Sequence, residues 1–339
     1  MSGFRIGVDL GGTNFRIAAL SGEGPELGSV HKEEVGEPRD PQSILDRLAR
    51  GIEAIAATAP ADAVIPVGVG IAAMLRDRRG TVAKSPHLRW DDVPFGELLA
   101  ARLGARFRLG VYNDVNAITY GEHVFGAGRG HDNVLAVYVG TGIGGGLVCD
   151  GRLVEGATNC AGEIGHVKVR WDDEAAPCAC GGRGCVEAYV GGTYVGERIR
   201  RELTAGASPA TVALAGHVDQ ANAGHVDQAA AAGDAWALAL WSELAPLLAV
   251  ALGNAITVLN TGRLVLGGGL LGRTPVLYER VTLALDLVMP RASREPLTVP
   301  QPSSAMTPGS WEPAPSRPPA SRSFSSRSQS VARRLEPTQ

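Results

Sequence analysis

Long apolar runs, a strong charge of one sign and an even set of cysteines are all missing from this 339-residue chain. No uninterrupted apolar run reaches the roughly 18–20 residues that a membrane-spanning helix needs. The formal net charge is only −3, so nothing favours a nucleic acid or an anionic membrane surface as a partner. The first residues enter a strand-like segment without the regions of a cleavable leader. We therefore expect a cytoplasmic protein that binds neither nucleic acid nor membrane.

The chain has five cysteines, and three of them lie within eight residues. An odd, clustered set fits metal ligation better than a disulfide framework. Cys178, Cys180 and Cys185 follow His166, and glycines occupy much of the stretch 181–184. One imidazole and three thiolates complete a tetrahedral shell and leave no position open for water. The spacing therefore predicts a structural zinc ion, with three free thiols in a flexible loop as the alternative.

Two glycine-rich turns lie between β-rich runs, about 130 residues apart, and predict a duplicated α/β architecture with a phosphate loop in each half. The first turn, between runs 4–10 and 15–20, consists of Gly11, Gly12, Thr13 and Asn14. The second turn, between runs 134–139 and 146–149, begins with Gly140, Thr141 and Gly142. Glycines let a backbone approach a phosphate closely, although an ordinary hairpin is the alternative for the first turn.

Single residues near these turns extend the phosphate interpretation. Asp9 ends the strand before the first turn, where a carboxylate can hold a hydrated Mg²⁺ ion. Gly268 lies in a glycine run after the apolar segment 263–266, which predicts a third close approach, to adenosine.

Asn113 and Asp114 stand between a predicted strand at 108–112 and a predicted helix at 115–124. Phosphoryl transfer needs a base that accepts the proton of the attacking hydroxyl, and a carboxylate at a strand end suits that role. The alternative is that Asp114 merely caps the helix, which the residues alone favour. Glu163 and Glu187 flank the predicted metal ligands, so the same ion would fix them as acceptors for sugar hydroxyls. Singly, each is more often a solvated surface charge.

Two stretches are anomalous. Segments 215–222 (AGHVDQAN) and 223–230 (AGHVDQAA) are a near-perfect tandem duplication, which indicates one local insertion rather than a repeat architecture. The tail 300–339 is rich in Ser, Pro and Arg, so we expect it to be disordered. Reading the codons for 303–312 in a frame shifted by two bases permits LGDDAGVLGA. We therefore infer a frameshift near Val299 that replaced a glycine- and alanine-rich final helix.

Together these segments resemble the ROK family of bacterial sugar kinases and sugar-responsive repressors. The matching pieces are DLGGTNFR (9–16), NDVNAITYGE (113–122), GTGIGGG (140–146), EIGH (163–166), CACGGRGCVE (178–187) and LGGG (266–269). The resemblance implies a duplicated ribonuclease-H-like, or actin-like ATPase, fold with a cleft between two domains. We place these domains at 1–120 and 121–299. The resemblance to the family also implies a homodimer.

The resemblance carries roles onto matching positions. Asp114 looks like the base that removes a proton from the sugar hydroxyl attacking the γ-phosphate of ATP. Sugar contacts are implied for Asn113, Glu163, His166 and Glu187. Phosphate contacts are implied for Gly11, Gly12, Thr13, Asn14, Thr141 and Gly142.

We expect an ATP-dependent hexose kinase, with glucose as the first candidate substrate. The chain has His87 where family kinases commonly have asparagine, and the loop 70–73 lacks a usual glycine or proline. Both loops approach the sugar in the family, so an N-acetylhexosamine kinase is a second interpretation. A sugar-sensing regulator is a third, although only eight residues precede Asp9 and no basic helix is visible. The altered tail leaves a fourth, a chain without catalytic activity.

Overall fold

The computed structural model describes residues 4–20, 27–60 and 62–302, so the predicted aberrant tail lies outside the described residues from 303 onward. The strands of this part are β1 (Arg5–Leu10), β2 (Asn14–Leu20), β3 (Leu27–Glu34), β4 (Ile65–Ile71), β5 (Met74–Leu75), β6 (Val82–Ser85), β7 (Trp90–Val93), β8 (Phe107–Asn113), β9 (Val134–Val139), β10 (Ile143–Cys149), β11 (Arg152–Val154) and β12 (Arg263–Gly267). The helices are α1 (Pro41–Ala56), α2 (Phe95–Leu103), α3 (Asp114–Phe125), α4 (Glu187–Val190), α5 (Gly192–Thr204), α6 (Pro209–Ala215), α7 (Ala223–Ala231), α8 (Ala235–Leu259), α9 (Pro275–Val288) and α10 (Arg291–Arg294). Short 3-10 helices cover 164–166, 218–220 and 271–273.

Two sheets repeat one topology. The first has the strand order β3-β2-β1-β4-β8, and the second has the order β11-β10-β9-β12. In each sheet an antiparallel hairpin is followed by a strand that pairs parallel to the first hairpin strand, β4 with β1 and β12 with β9. The predicted duplicated α/β fold is therefore confirmed. The helices that link β11 to β12 make the second half larger than the first.

The first sheet is covered by α1, and its sequence explains why a helix forms there. Asp40 accepts a hydrogen bond at 2.9 Å from the backbone N–H of Ser43, and Pro41 occupies the first turn. Ile44, Leu48 and other apolar residues at helical spacing are fully buried. Each such side chain stabilises the fold by about 1.5–3 kcal/mol. The predicted helix at 43–57 is confirmed, with its start two residues earlier.

The second core is built around α8 and α9. Within the described residues, α8 is long and apolar enough to cross a membrane by length and composition, which the sequence reading did not anticipate. Half of its most apolar window is buried inside the protein, and Trp241 and Leu244 are fully buried. This burial is the pattern of a core helix.

Most predicted elements appear where the sequence placed them, with two differences. The helical pattern at 186–203 is divided into α4 and α5 at Gly191, whose backbone is extended. The strand predicted at 146–149 begins at 143 because Gly144 and Gly145 continue the hairpin with β9. The domain limits at 1–120 and 121–299 stay a prediction, and residue 120 falls inside α3.

Candidate active site

A cavity of about 990 Å³ is lined by residues from both halves of the chain. This volume is at the upper end of the range for small-molecule sites, roughly 300–1,000 Å³. Eight of the predicted site residues line it: Asn113, Asp114, Gly140, Thr141, Gly142, Glu163, Glu187 and Gly268. The predicted residues that are not part of the lining are Asp9, Gly11, Gly12, Thr13, Asn14, His166, Cys178, Cys180 and Cys185.

The junction of β8 and α3 presents Asp114 to the cavity. The cap of α3 is Asn113, whose Oδ1 accepts hydrogen bonds from Val115 N at 3.0 Å and Asn116 N at 3.3 Å. The Nδ2 of Asn113 donates to the carbonyl oxygen of Ala73 at 3.2 Å, which ties the strand end to a loop of the cavity wall. The cap function, which the sequence favoured for Asp114, therefore falls mainly on Asn113. Asp114 makes one bond of this kind, from Val115 N at 2.9 Å.

The carboxyl group of Asp114 is strongly perturbed. Burial raises the pKa of Asp114 to about 6, and the negative charge of Asp9 adds to the increase. The hydrogen bond from Val115 N lowers this pKa but does not cancel the effect of burial. Burial also raises the pKa of Asp9, against the lowering effect of Arg16, whose guanidinium lies 3.8 Å away. Two neighbouring carboxylates at the ends of β1 and β8 are a typical setting for acid–base chemistry or cation binding.

The first glycine turn adjoins the cavity through His87. A Cβ atom on Gly12 would lie 2.6 Å from the Cβ of His87, so only glycine allows this approach. Arg39 fixes both segments, because its guanidinium donates to the carbonyl oxygens of Gly12, at 3.0 Å, and His87, at 2.5 Å. His87 itself lines the cavity.

The second glycine turn is held by the helices that follow the cysteine segment. Glu187 Oε2 accepts a hydrogen bond from Ile143 N at 2.7 Å and lies 2.5 Å from the position that a Cβ on Gly142 would take. Thr193 N donates to the carbonyl oxygen of Thr141 at 3.0 Å. The turn that was predicted to grip phosphate is thus positioned by side chain and backbone of α4 and α5.

The structure brings the predicted metal ligands together. The ligand atoms of His166, Cys178, Cys180 and Cys185 all lie within 4.8 Å of one another. Cys180 Sγ is 3.6 Å from Cys185 Sγ, and Cys178 Sγ is 3.8 Å from His166 Nδ1. A tetrahedral zinc site, with Zn–S of about 2.3 Å and Zn–N of about 2.0 Å, separates its ligand atoms by roughly 3.5–3.8 Å. The donor set and its spacing therefore fit zinc.

The surroundings of the cluster add two electrostatic effects. Burial raises the pKa of the Cys178 thiol to about 11, whereas a backbone hydrogen bond from Gly182 lowers the pKa of Cys180. Lys168 Nζ donates a hydrogen bond to Cys185 Sγ at 2.9 Å, and this contact raises the pKa of Lys168. The other ring nitrogen of the cluster histidine, His166 Nε2, is 3.9 Å from Glu163 Oε2. That imidazole thus faces the cysteines with one nitrogen and a cavity-lining carboxylate with the other.

Several cavity residues were not predicted from the sequence. Among them are Lys84, Arg200, Asn222 and Arg273. They lie on separate elements and form no local motif. Arg273 follows the Gly268 turn by five residues, and Asn222 stands at the junction of the two octapeptide copies, which were the available signals.

Comparison with known proteins points in one direction. The ROK family pattern matches residues 5–307. The chain is similar to the glucokinase of Thermotoga maritima, with 35% identity over 290 residues that cover 84% of this chain and 88% of that protein. It is also similar to an N-acetyl-D-glucosamine kinase of Pasteurella multocida, with 29% identity over 308 residues that cover 86% of this chain and 92% of that protein.

Among solved structures, the fold is similar to that of a ROK family glucokinase from Streptomyces griseus in complex with glucose and AMPPNP. The TM-score is 0.69 and the identity 27%, covering 88% of this chain and 94% of that one.

Proposed function

The chain belongs to the ROK family, and from this membership we propose that it is a sugar kinase that transfers the γ-phosphoryl group of ATP to a hexose, with glucose as the first substrate. The observation that carries the proposal is Asp114, a carboxyl group inside a cavity that also exposes the glycine turn at 140–142. This arrangement supports formation of hexose 6-phosphate.

In the proposed reaction Asp114 is the general base. It accepts the proton of the sugar hydroxyl as that oxygen attacks the γ-phosphorus, and the bond from phosphorus to the bridging oxygen of ADP breaks. A base works best when its pKa lies near the operating pH, and burial brings the pKa of Asp114 to about 6. Asn113, Glu163, His166 and Glu187 are the proposed sugar contacts.

The proposed donor contacts come from both halves. The backbone N–H groups of Gly12, Thr13 and Asn14, and those of Thr141 and Gly142, would donate to phosphate oxygens. Gly11 N and Gly140 N donate within their turns, to the carbonyl oxygens of Asn14 at 3.1 Å and Gly142 at 2.9 Å, so these two glycines would contact the phosphates without donating. Asp9 would hold a hydrated Mg²⁺ ion, and the raised pKa of this carboxyl group indicates a site that a cation would stabilise. Gly268 has a φ of +102°, and a Cβ at this position would clash with the carbonyl oxygen of Val139, so only glycine fits this turn, which we propose for the nucleoside.

The proposed zinc ion is structural. Bound by His166, Cys178, Cys180 and Cys185, it would hold the segment 163–187 in one conformation. Glu163 and Glu187 would thereby keep fixed positions at the cavity, because each is close in sequence to a ligand.

Three further properties belong to the proposal. The residues 1–120 and 121–299 would act as two domains that close on the substrates, since the cavity is lined by both. The resemblance to the family supports a homodimer. The small net charge supports a cytoplasmic enzyme without nucleic acid or membrane partners.

A second candidate function is phosphorylation of an N-acetylhexosamine. Ala72 and Ala73 line the cavity beside Asn113, and their small side chains leave space where an acetamido group would fit. The similarity to an N-acetyl-D-glucosamine kinase supports this candidate.

A sugar panel tests both functions. ADP release is measured with glucose, mannose, N-acetylglucosamine and N-acetylmannosamine at a fixed MgATP concentration, and zinc is determined in the same preparation. We expect kcat/KM for glucose to exceed that for the other sugars. A higher kcat/KM for an N-acetylated sugar would replace the first function by the second, and absence of sugar-dependent ADP release would refute both.

A further inference from the structure

The tandem octapeptide contributes one wall of the cavity. Residues 221–224 line it together with Arg200 and Arg273, and we call this set the outer wall. The outer wall is connected to the second glycine turn through α5. This helix carries Arg200, and its Thr193 N donates to the carbonyl oxygen of Thr141 in that turn. The carbonyl oxygen of Arg273 lies 3.7 Å from the position that a Cβ on Gly224 would take. The guanidinium of Arg273 in turn donates to the carbonyl oxygen of Gly269 at 2.8 Å, so the outer wall is adjacent to the Gly268 turn.

The second copy of the octapeptide is anchored in the protein core. It forms α7, where Val226 is fully buried and Asp227 is almost so. The carboxylate of Asp227 accepts hydrogen bonds from Val276 N and Leu277 N, both at 3.1 Å, and thus caps the first turn of α9. This copy has the tertiary contacts that a core helix requires.

The first copy has the same residues but almost none of these contacts. Its aspartate, Asp219, is exposed, and in the described part of the chain its carboxylate pairs only with the nearby imidazole of His217, at 3.2 Å. Val218 is half-buried, in a 3-10 turn. Identical side chains thus have different surroundings, and the core needs only one copy. What the first copy adds is the connection that ends in Asn222.

Asn222 joins the two copies and lies on the outer wall. Its Oδ1 caps α7 by accepting hydrogen bonds from Gly224 N at 2.9 Å and His225 N at 3.3 Å. Its Nδ2 donates to the carbonyl oxygen of Gln220 at 3.4 Å, which leaves one amide hydrogen available. Removing the first copy would place Leu214 directly before α7, so both the cap and the amide would disappear.

The remaining outer-wall side chains are suited to a polar ligand. Among the residues described, Arg200 has no carboxylate within 4 Å, and Arg273 donates only to the carbonyl oxygen of Gly269, at 2.8 Å. Ala221, Ala223 and Gly224 present small groups between them. A purine base offers ring nitrogens as acceptors, and a ribose offers hydroxyl oxygens.

We propose that Asn222 is a specificity-determining residue for the phosphoryl donor, because its free amide hydrogen donates to an acceptor on the nucleoside of a purine nucleoside triphosphate. Asn222 is the position at which the two octapeptides differ, since the second copy ends in Ala230. The inference rests on the proposed kinase function and assigns the nucleoside end of its donor site.

Equilibrium binding tests the proposal without requiring turnover. Asn222→Ser keeps a good cap for α7 and removes the amide, and deletion of 215–222 removes the whole first copy. Dissociation constants are measured by calorimetry for MgATP and for magnesium tripolyphosphate, which has no nucleoside. We expect Asn222→Ser to weaken MgATP binding about 3- to 10-fold, the effect of one hydrogen bond, and tripolyphosphate binding less than twofold.

Two aspartates at the same octapeptide position serve as controls. Asp219→Ala should change neither MgATP affinity nor the melting temperature, whereas Asp227→Ala should lower the melting temperature because α9 loses its cap. Parent-like MgATP affinity in Asn222→Ser would overturn the proposal even if the deletion weakens binding, as would a parent that binds no MgATP. A parent that binds MgATP but phosphorylates no hexose would refute the kinase function alone.

Discussion

Four strands of the first sheet have counterparts in the described part of the second sheet, and the fifth, β8, does not. In the first sheet β8 pairs with β4 along seven residues, and the chain at its end supplies Asn113 and Asp114. On the corresponding edge of β12, the described residues contain only an isolated parallel bridge between Arg263 and Thr298. The proposed catalytic carboxylate, Asp114, therefore follows β8, a strand that has no full counterpart in the described part of the second half.

The bridge on β12 marks where a fifth strand would run. Leu264 N donates to the carbonyl oxygen of Thr298 at 3.0 Å, and Leu266 N donates to that of Pro300 at 3.3 Å. This parallel pairing starts beside Val299, where the sequence indicates a frameshift. The alternative frame permits LGDDAGVLGA shortly afterwards, a glycine–aspartate entry into a helix that parallels the step from β8 into α3. The segment that such a frameshift would have replaced lies outside the described residues.

Replacing Asp114, the residue that follows the fifth strand of the first sheet, should have the largest effect. We expect Asp114→Asn to lower kcat by about 10²–10⁴-fold, because the amide cannot accept the hydroxyl proton. Sugar affinity should change little, as measured by calorimetry with glucose. The variant should also melt at a higher temperature at pH 7, since the raised pKa means that ionising Asp114 opposes folding above its unfolded pKa of about 4. Near-normal kcat would remove Asp114 from the mechanism.

The cysteine segment belongs to the second half alone and tests that half separately. Cys178→Ser should abolish zinc binding and raise the KM for sugar about 10- to 100-fold, because the segment with Glu163 and Glu187 loses its support. Cys149→Ser is the matched control, since Cys149 lies outside the cluster. Zinc content by elemental analysis and KM by coupled assay give the answer. Equal zinc content in both variants would contradict the proposed ligand set.

Completing the second half should make the two halves more alike and more stable. In a chain whose frame is restored after Val299, an added strand and helix worth about 2–3 kcal/mol would raise the melting temperature by on the order of 5 °C. The measurement is thermal unfolding of both chains at equal concentration. A restored chain no more stable than the present one would argue against a structural loss.

The smallest expected effect concerns Asp9 of β1, whose equivalent position in β9 carries no carboxylate. Asp9 stands one residue before the end of its hairpin strand, where the second half has Tyr138. The pKa of Asp114 predicts that kcat/KM falls below about pH 6, because the base must be ionised. Asp9→Asn removes a negative charge, so the fall should move to lower pH, whatever the remaining rate. An unchanged midpoint in the pH profile would mean that the charge of Asp9 does not affect the pKa of Asp114.

Local chemistry made much of this molecule predictable. Each glycine turn is recognisable in the sequence, because β-rich runs on both sides flank residues that admit close backbone contact. The cysteine spacing predicted the ligand cluster because His166 and the thiols are near in sequence. Asn113 and Asp114 were found for the same reason, although which of them caps α3 depended on side-chain geometry.

The outer wall could not be predicted in this way. Arg200, Asn222 and Arg273 come from three elements that only the tertiary fold brings together. The two octapeptide copies illustrate the limit best, because identical residues form a buried helix in one copy and an exposed turn in the other. Their difference is decided by contacts such as that of Asp227 with α9.

The hydrogen bond from Ile143 N to Glu187 ties this carboxylate to the turn that we propose for the donor, and the same residue is a proposed contact of the sugar. Its Oε2 is held by the glycine turn proposed for the donor, while the residue also lines the proposed acceptor site. Anything that orders Glu187 from one direction must order it for the other. Glucose and ATP should accordingly bind with synergy, each increasing the affinity for the other by the same factor.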